Sequence, residues 1–139
     1  EYNNRPCPIC LSGNTVIDTP NGPVNIKELK KGMTVFTQDS SGNRTIGTVL
    51  ETGKTMVLPS HKMIHLVLDD NRSLYGSPNH PTADGRHLGD LKVGNTLDGV
   101  KIRMVELVSY NDTHTYDLLP SGQTGFYWAN GILIDSTMK

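Results

Sequence analysis

The stretch S-P-N-H-P at residues 77–81 decides the reading of this chain, because T-P-N-G-P at residues 19–23 nearly duplicates it. The likeness continues. E-L-K-K-G-M-T-V at residues 28–35 is answered by D-L-K-V-G-N-T-L at residues 90–97, with a few more residues between the matching blocks in the second half. The matches keep their order across two separated blocks, so they read as two related halves rather than one turn type used twice. One exchange breaks the likeness: Gly22 of the first copy becomes His80 in the second. Gly turns tightly at little steric cost. Exchanging it for an imidazole adds the one side chain whose unperturbed pKa lets it trade protons near neutrality. His80 is therefore a catalytic candidate, with an ordinary turn histidine as the alternative. His61, His65, His87 and His114 lack that context and read as structural or surface residues.

Around these blocks the chain reads as short strands separated by turn signals. T-V-I-D-T, T-V-F-T-Q, T-I-G-T-V-L, K-M-I-H-L-V-L, K-I-R-M-V-E-L-V and W-A-N-G-I-L-I are rich in β-branched and aliphatic residues. P-N-G-P, D-S-S-G-N, D-D-N-R, A-D-G-R and L-D-G-V lie between them and supply residues that start turns or tolerate positive φ. Only N-I-K-E-L-K-K-G and H-L-G-D-L-K-V-G suggest helix, each a turn or two closed by a Gly. Many short strands argue an all-β sandwich or barrel. The duplication makes it two related β-subunits.

Composition excludes several classes of function. At 139 residues the chain suits one domain, which on folding hides roughly two-thirds of the surface of its unfolded form. Thirteen basic residues against fourteen acidic ones leave it near neutral, with no basic run and no aromatic-basic interleaving. That argues against nucleic acid as a partner. The longest apolar runs are far too short to span a bilayer, so no membrane insertion by this segment is expected. With no initiator Met and no signal peptide, the chain reads as a segment of a longer one, and its compartment is not written in it.

Chemistry also gathers at the start, in R-P-C-P-I-C-L-S-G-N-T. Cys7 and Cys10 stand in C-x-x-C spacing and are the two cysteines of the sequence. A four-ligand zinc site would need His or carboxylate partners from afar. A thioredoxin-like redox pair would need a βαβ context that this chain lacks. A disulfide between the two remains open. The prolines on either side of Cys7 keep the segment extended and leave the Ile9–Cys10 bond open to the Cys10 thiol.

The order C-L-S-G-N-T-V-I-D-T-P-N-G-P, I-K-E-L-K-K-G-M-T-V, G-S-P-N-H-P, T-Y-D-L and W-A-N-G-I-L-I resembles a Hint domain. This is the autoprocessing module of Hedgehog proteins, inteins and bacterial intein-like domains. The resemblance implies an all-β fold, a flattened horseshoe of two pseudo-symmetric subdomains with one or two short helical turns. It divides the chain into an N-terminal flanking segment at residues 1–9, the Hint domain at 10–137 and C-terminal flanking residues 138–139. It also implies a set of roles. Cys10 is the nucleophile that attacks the carbonyl of Ile9 and moves the acyl chain from nitrogen to sulfur, a task that suits a thiol. His80 protonates the departing nitrogen of Cys10. Ser77 stands where the family's motif usually has Thr and keeps its hydroxyl near the scissile bond. Asn79 is a candidate oxyanion donor. Asp117 matches the family's late aspartate, with a solvated strand-end carboxylate as the alternative. Cys7 becomes a candidate redox lock on Cys10.

The substrate is then the chain's own N-terminal flank. The acyl acceptor is water, a small thiol or amine, or another chain, and neither cofactor nor metal is required. The domain is expected to act as a monomer. The alternative is a Hint-fold module that has lost activity and serves as a structural or binding domain.

One departure from the family limits the chemistry. Inteins end in His-Asn before a Cys, Ser or Thr, and the Asn cyclises to cut the C-terminal junction. Here Asp135 and Ser136 occupy those places in G-I-L-I-D-S-T. Serine has no side-chain amide and forms no succinimide, which argues against full splicing. No spontaneous cut is therefore expected after Ser136. Intact-mass analysis of the unaltered protein checks this, and a free peptide beginning at Thr137 would contradict it.

Overall fold

The protein's structure, a computed structural model, describes residues 10–139. Eleven strands run through them, with no helix longer than a single 3-10 turn. In chain order these are β1 (Val16–Ile17), β2 (Val24–Asn25), β3 (Thr34–Gln38), β4 (Arg44–Met56) and β5 (Lys62–Leu68). There follow β6 (Ser73–Gly76), β7 (Thr96–Leu97), β8 (Val100–Ser109), β9 (His114–Pro120), β10 (Phe126–Ala129) and β11 (Ile132–Asp135). They form three antiparallel sheets in the orders β11-β10-β1-β2, β3-β4-β9 and β6-β5-β8-β7.

The all-β expectation holds, and β3 and β5 have the bounds read from T-V-F-T-Q and K-M-I-H-L-V-L. Alternation explains both. In β3, Val35 and Thr37 turn inward while Thr34 is exposed; in β5, Met63, Leu66 and Leu68 are fully buried. β4 is longer than its T-I-G-T-V-L signal suggests. Its first part pairs with β3 and its second part, through Met56, with β9. Leu50 is the extra residue at a register shift within the β9 pairing, between Val49 and Glu51, where such an insertion bends a strand. β6 and β9, weak in the sequence pattern, are completed by tertiary pairing.

The duplication is visible as repeated hydrogen bonds. Gly22 N–H donates to Thr19 O at 3.0 Å, and His80 N–H to Ser77 O at 3.0 Å. Leu29 N–H donates to Ile26 O as Leu91 N–H does to Leu88 O. Met33 N–H donates to Lys30 O as Asn95 N–H does to Lys92 O, and Gly32 and Gly94 donate to Val49 O and Ile102 O. The two helical signals shorten to the 3-10 turns Ile26–Glu28 and Leu88–Asp90. They stop early because Leu29 and Leu91 take extended backbone and drop into the core, 5% and 3% exposed. The glycines expected to cap helices instead serve the turns that follow.

One apolar core joins the halves. Leu11, Ile17, Leu66, Leu74, Leu118 and Tyr127 are among its fully buried members. Burying each such side chain is worth about 1.5–3 kcal/mol. The A-N-G-I hairpin between β10 and β11 is the type I′ turn its sequence implies, with φ of 51° at Asn130 and 80° at Gly131. Asn130 does more than turn. Its backbone N–H donates to Val16 O at 2.7 Å, its Oδ1 accepts from Val16 N–H at 2.8 Å, and its Nδ2 donates to Ser73 O at 3.0 Å. It thus ties β1 and β10 to β6 of another sheet.

Asn130→Ala should lower unfolding free energy by about 2–3 kcal/mol, combining left-handed strain with lost hydrogen bonds. Asn130→Gly should recover about 1 kcal/mol of this, since it relieves only the strain. Urea titration of the three proteins checks the order, and equal losses for Ala and Gly would contradict it.

Candidate functional site

The residue after Cys10 sets the site. Leu11 is fully buried and bridges two strands at once, opposite Gly76 at the end of β6 and Tyr116 of β9. Its N–H donates to Tyr116 O at 2.7 Å, and Tyr116 N–H returns to Leu11 O at 2.8 Å. On the other side Ser77 N–H donates to Cys10 O at 2.9 Å and Ser12 N–H to Tyr75 O at 3.2 Å. Position 76 must be Gly for this fit: a Cβ there would lie 2.5 Å from Leu88 Cδ1 and 3.1 Å from Leu11 Cδ2. Cys10 itself is 2% exposed and disulfide-bonded. Cys7, the sequence's other cysteine and the redox candidate, lies outside the described residues, as does Ile9 of the scissile bond.

His80 is fully buried in the turn that Ser77 opens. Gly22, its counterpart, has φ of 101°, whereas His80 is outside the positive-φ region. The second copy of the turn has relaxed to a backbone that any residue adopts, which is how an imidazole fits there. His80 Nε2 lies 2.9 Å from the carbonyl oxygen of Asp135. A carbonyl only accepts, so Nε2 carries the proton in this contact. The C-terminal strand is held to the same turn by Asp135 N–H donating to Pro81 O and by a bridge between Thr82 and Ile134. Both ends of the domain therefore meet at the 77–81 turn, Cys10 through Ser77 and the C-terminal strand through His80 and Pro81. Ser77, fully buried, presents its Oγ 3.1 Å from His61 Nε2. Asn79, between Ser77 and His80 in sequence, is exposed.

Asp117 is 2% exposed in the middle of β9, which removes the alternative of a solvated strand-end carboxylate. It is directly next to Tyr116, the partner of Leu11. Its Oδ1 accepts from Leu118 N–H at 2.8 Å and from the Tyr127 hydroxyl. Its Oδ2 accepts from Thr137 N–H at 2.8 Å and from the Thr137 hydroxyl. Four donors converge on one buried carboxylate. Complete burial, and then the charge of Asp117, push the Tyr127 phenol well above its ordinary value, so it stays a donor. Ser136, 2% exposed, accepts from Met138 N–H at 3.0 Å.

Three residues of this cluster carried no signal of their own in the sequence. Tyr127 and Thr137 come to Asp117 through tertiary packing alone. His61 reads as a structural or surface histidine, and its ring reaches Ser77. Burial holds His61 below the usual histidine value, so it is neutral at pH 7. The other loop and strand histidines behave as expected: His65 stacks on Tyr75 with ring centroids 4.0 Å apart, His87 pairs with Asp90, and His114 contacts Thr113. A polar cleft of about 240 Å³, lined in part by Ser12, Asn14, Tyr75, Tyr110 and Asp112, opens beside the segment that follows Cys10. Among the described residues no group of three His, Cys, Asp or Glu side chains is placed to hold a metal, and no helix is long and apolar enough to cross a membrane.

Replacing Asp117 by Asn puts an amide donor against hydrogen-bond donors. It should lower stability by about 2–3 kcal/mol, whereas Tyr127→Phe, which removes one donor, should cost about 1–2 kcal/mol. Urea unfolding checks both, and an Asp117→Asn protein with wild-type midpoint would contradict the carboxylate assignment.

No protein-family model and no curated protein sequence matches the chain. Solved structures do. A bacterial intein-like domain from Clostridium thermocellum is 21% identical with a TM-score of 0.79, over 91% of this chain and 98% of that one. The gp41-1 intein is 26% identical with a TM-score of 0.70, over 91% and 97%. A DnaB intein from Synechocystis is 18% identical with a TM-score of 0.74, over 93% and 99%. With two pseudo-symmetric β-halves, two short helical turns and this agreement over nearly the whole chain, the protein has the Hint fold that these inteins and the intein-like domain share.

Proposed function

We propose that this Hint domain is an autoprocessing module acting once on its own N-terminal flank, breaking the Ile9–Cys10 bond through a thioester without full splicing. The observation that supports this most is the convergence around Cys10. Its carbonyl is fixed by Ser77 N–H, the turn opened by Ser77 carries buried His80, and Leu11 pairs beside buried Asp117. Residues 10–137 form the working domain, residues 1–9 the flank it acts upon and 138–139 the C-terminal flank.

In the first step His80 Nδ1 takes the proton of the Cys10 thiol, and the resulting thiolate attacks the carbonyl carbon of Ile9. A carbon–sulfur bond forms and the carbonyl becomes an oxyanion, to which the Ser77 hydroxyl donates. The carbon–nitrogen bond then breaks as His80 Nδ1 delivers a proton to the Cys10 nitrogen. His80 suits this role because Nε2–H is held by the Asp135 carbonyl, which fixes the ring. The second step is attack on the thioester by water, a small thiol or amine, or a nucleophile of another chain. Branching at Cβ of Ile9 crowds its carbonyl and slows water, favouring a thiol or amine. Asp117 holds Thr137 and Tyr127, and so keeps the C-terminal segment next to the nucleophile's strand. Ser136 supplies no cyclising amide, so the C-terminal junction stays intact.

The disulfide at Cys10 adds a condition. A thiol bound in a disulfide is no nucleophile, and a dithiol must first reduce it by two electrons. Cys7 is the lock on this reading. The same observation, with the loss of the terminal His and Asn, supports a second reading: an inactive Hint module retained for structure or binding.

Dithiothreitol should release a fragment ending at Ile9. His80→Ala should abolish that release while the fold, followed by circular dichroism, is kept. Cys7→Ser should respond to hydroxylamine without any reductant. If His80→Ala cleaves at the wild-type rate the assignment of His80 is wrong. Equal cleavage by oxidised and reduced wild type removes the lock.

A further inference from the structure

We propose that His61 is a positioning residue for the acyl shift, holding the Ser77 hydroxyl in the orientation that serves the bond at Cys10. This rests on the thioester reading given above. The contact is Nε2 to Oγ at 3.1 Å, and Ser77 is fully buried. Among the described residues, His61 is the side-chain partner of that hydroxyl. The Ser77 backbone meanwhile donates to the Cys10 carbonyl, so Ser77 lies directly opposite the nucleophile.

The backbone that carries the imidazole is itself fixed. His61 N–H donates to Leu58 O at 2.9 Å, and Tyr110 N–H donates to His61 O at 3.1 Å, closing the 58–61 turn onto the end of β8. The Tyr110 ring meets the imidazole edge-on, 6.1 Å between centroids at 76°. The Tyr110 hydroxyl accepts from Gly13 N–H at 3.1 Å and donates to His114 O, so the ring that braces His61 is anchored to the segment just after Cys10. This is a supported side chain, as a group that must aim another requires.

A serine hydroxyl has one proton and two lone pairs and rotates to suit its neighbours. When Nε2–H donates into one lone pair, the hydroxyl proton is left to point away from His61. It can then meet the negative charge that develops on the oxygen of the attacked carbonyl. Without His61 the hydroxyl turns to whichever acceptor is nearest, and its orientation is no longer set before the reaction. Burial keeps the imidazole neutral at pH 7, which spares the site an uncompensated charge beside Cys10. The sequence motif names Ser77 and His80; the geometry adds the histidine behind the serine.

The test compares dithiothreitol-induced release of the fragment ending at Ile9 in wild type, His61→Ala, His61→Gln, Ser77→Ala and the His61→Ala/Ser77→Ala double variant. Intact mass gives the rates and thermal melts establish folding. His61→Ala should cleave about tenfold slower, less than the loss of a direct oxyanion donor. His61→Gln, which keeps an N–H within reach of Ser77, should recover most of the rate. In the Ser77→Ala background, adding His61→Ala should change nothing further. A His61→Ala rate equal to wild type, or an equal slowing in both backgrounds, overturns this proposal and leaves the thioester reading standing. A reduced wild type that releases no fragment overturns both.

Discussion

The structure depends on Leu11 being threaded between β6 and β9. Those strands belong to different sheets, and the backbone hydrogen bonds of residues 10–12 serve both. A buried backbone segment must find partners for its donors and acceptors, because an unpaired one costs about as much as a lost hydrogen bond. Here the partners come from two sheets, so the segment seals the joint between them. Gly76 makes room for the Leu11 side chain, and Leu88 closes the space behind it. The consequence for chemistry is direct. Cys10 immediately precedes the seal, and its carbonyl is held by Ser77 N–H.

The duplication then explains how a symmetric scaffold acquires one distinctive place. Each half contributes a turn, a 3-10 segment and a tight glycine turn with the same internal hydrogen bonds. In the first half the turn carries Gly22 in a left-handed conformation. In the second, the backbone leaves that region and a buried imidazole takes the position. The N-terminal seal lies against this second turn through Ser77, and the C-terminal strand lies against it through Asp135 and Ile134. Repetition builds the frame, and the meeting of the two chain ends at one of its two turns makes the site.

Much of this was legible before the structure. The ordered repeat, the alternation in K-M-I-H-L-V-L and the A-N-G-I turn gave the all-β, two-part reading, because local periodicity and turn chemistry act without distant help. Cys10, Ser77, His80 and Asp117 were named from short motifs; all four are buried, the first three are linked through the 77–80 turn, and Asp117 follows Tyr116, the partner of Leu11. What the sequence hid is what packing decides. The helical signals were cut to single 3-10 turns by the inward pull of Leu29 and Leu91. Asn79, which lies between buried Ser77 and His80 in sequence, is exposed. Tyr127, Thr137 and His61 join the cluster across 10 to 20 positions of sequence, with no local pattern to announce them.

The account thus runs from a buried leucine to a fixed cysteine, and from a broken repeat to a placed histidine. Its central claim is that the acyl chain passes to the sulfur of Cys10. Hydroxylamine tests this most directly, because it converts a thioester to a hydroxamate while leaving an ordinary amide unchanged at neutral pH. After reduction of the protein, mass spectrometry should find the 1–9 fragment ending in an Ile9 hydroxamate, and Cys10→Ala should yield none. An intact chain after the same treatment, or an identical fragment from Cys10→Ala, would contradict the account.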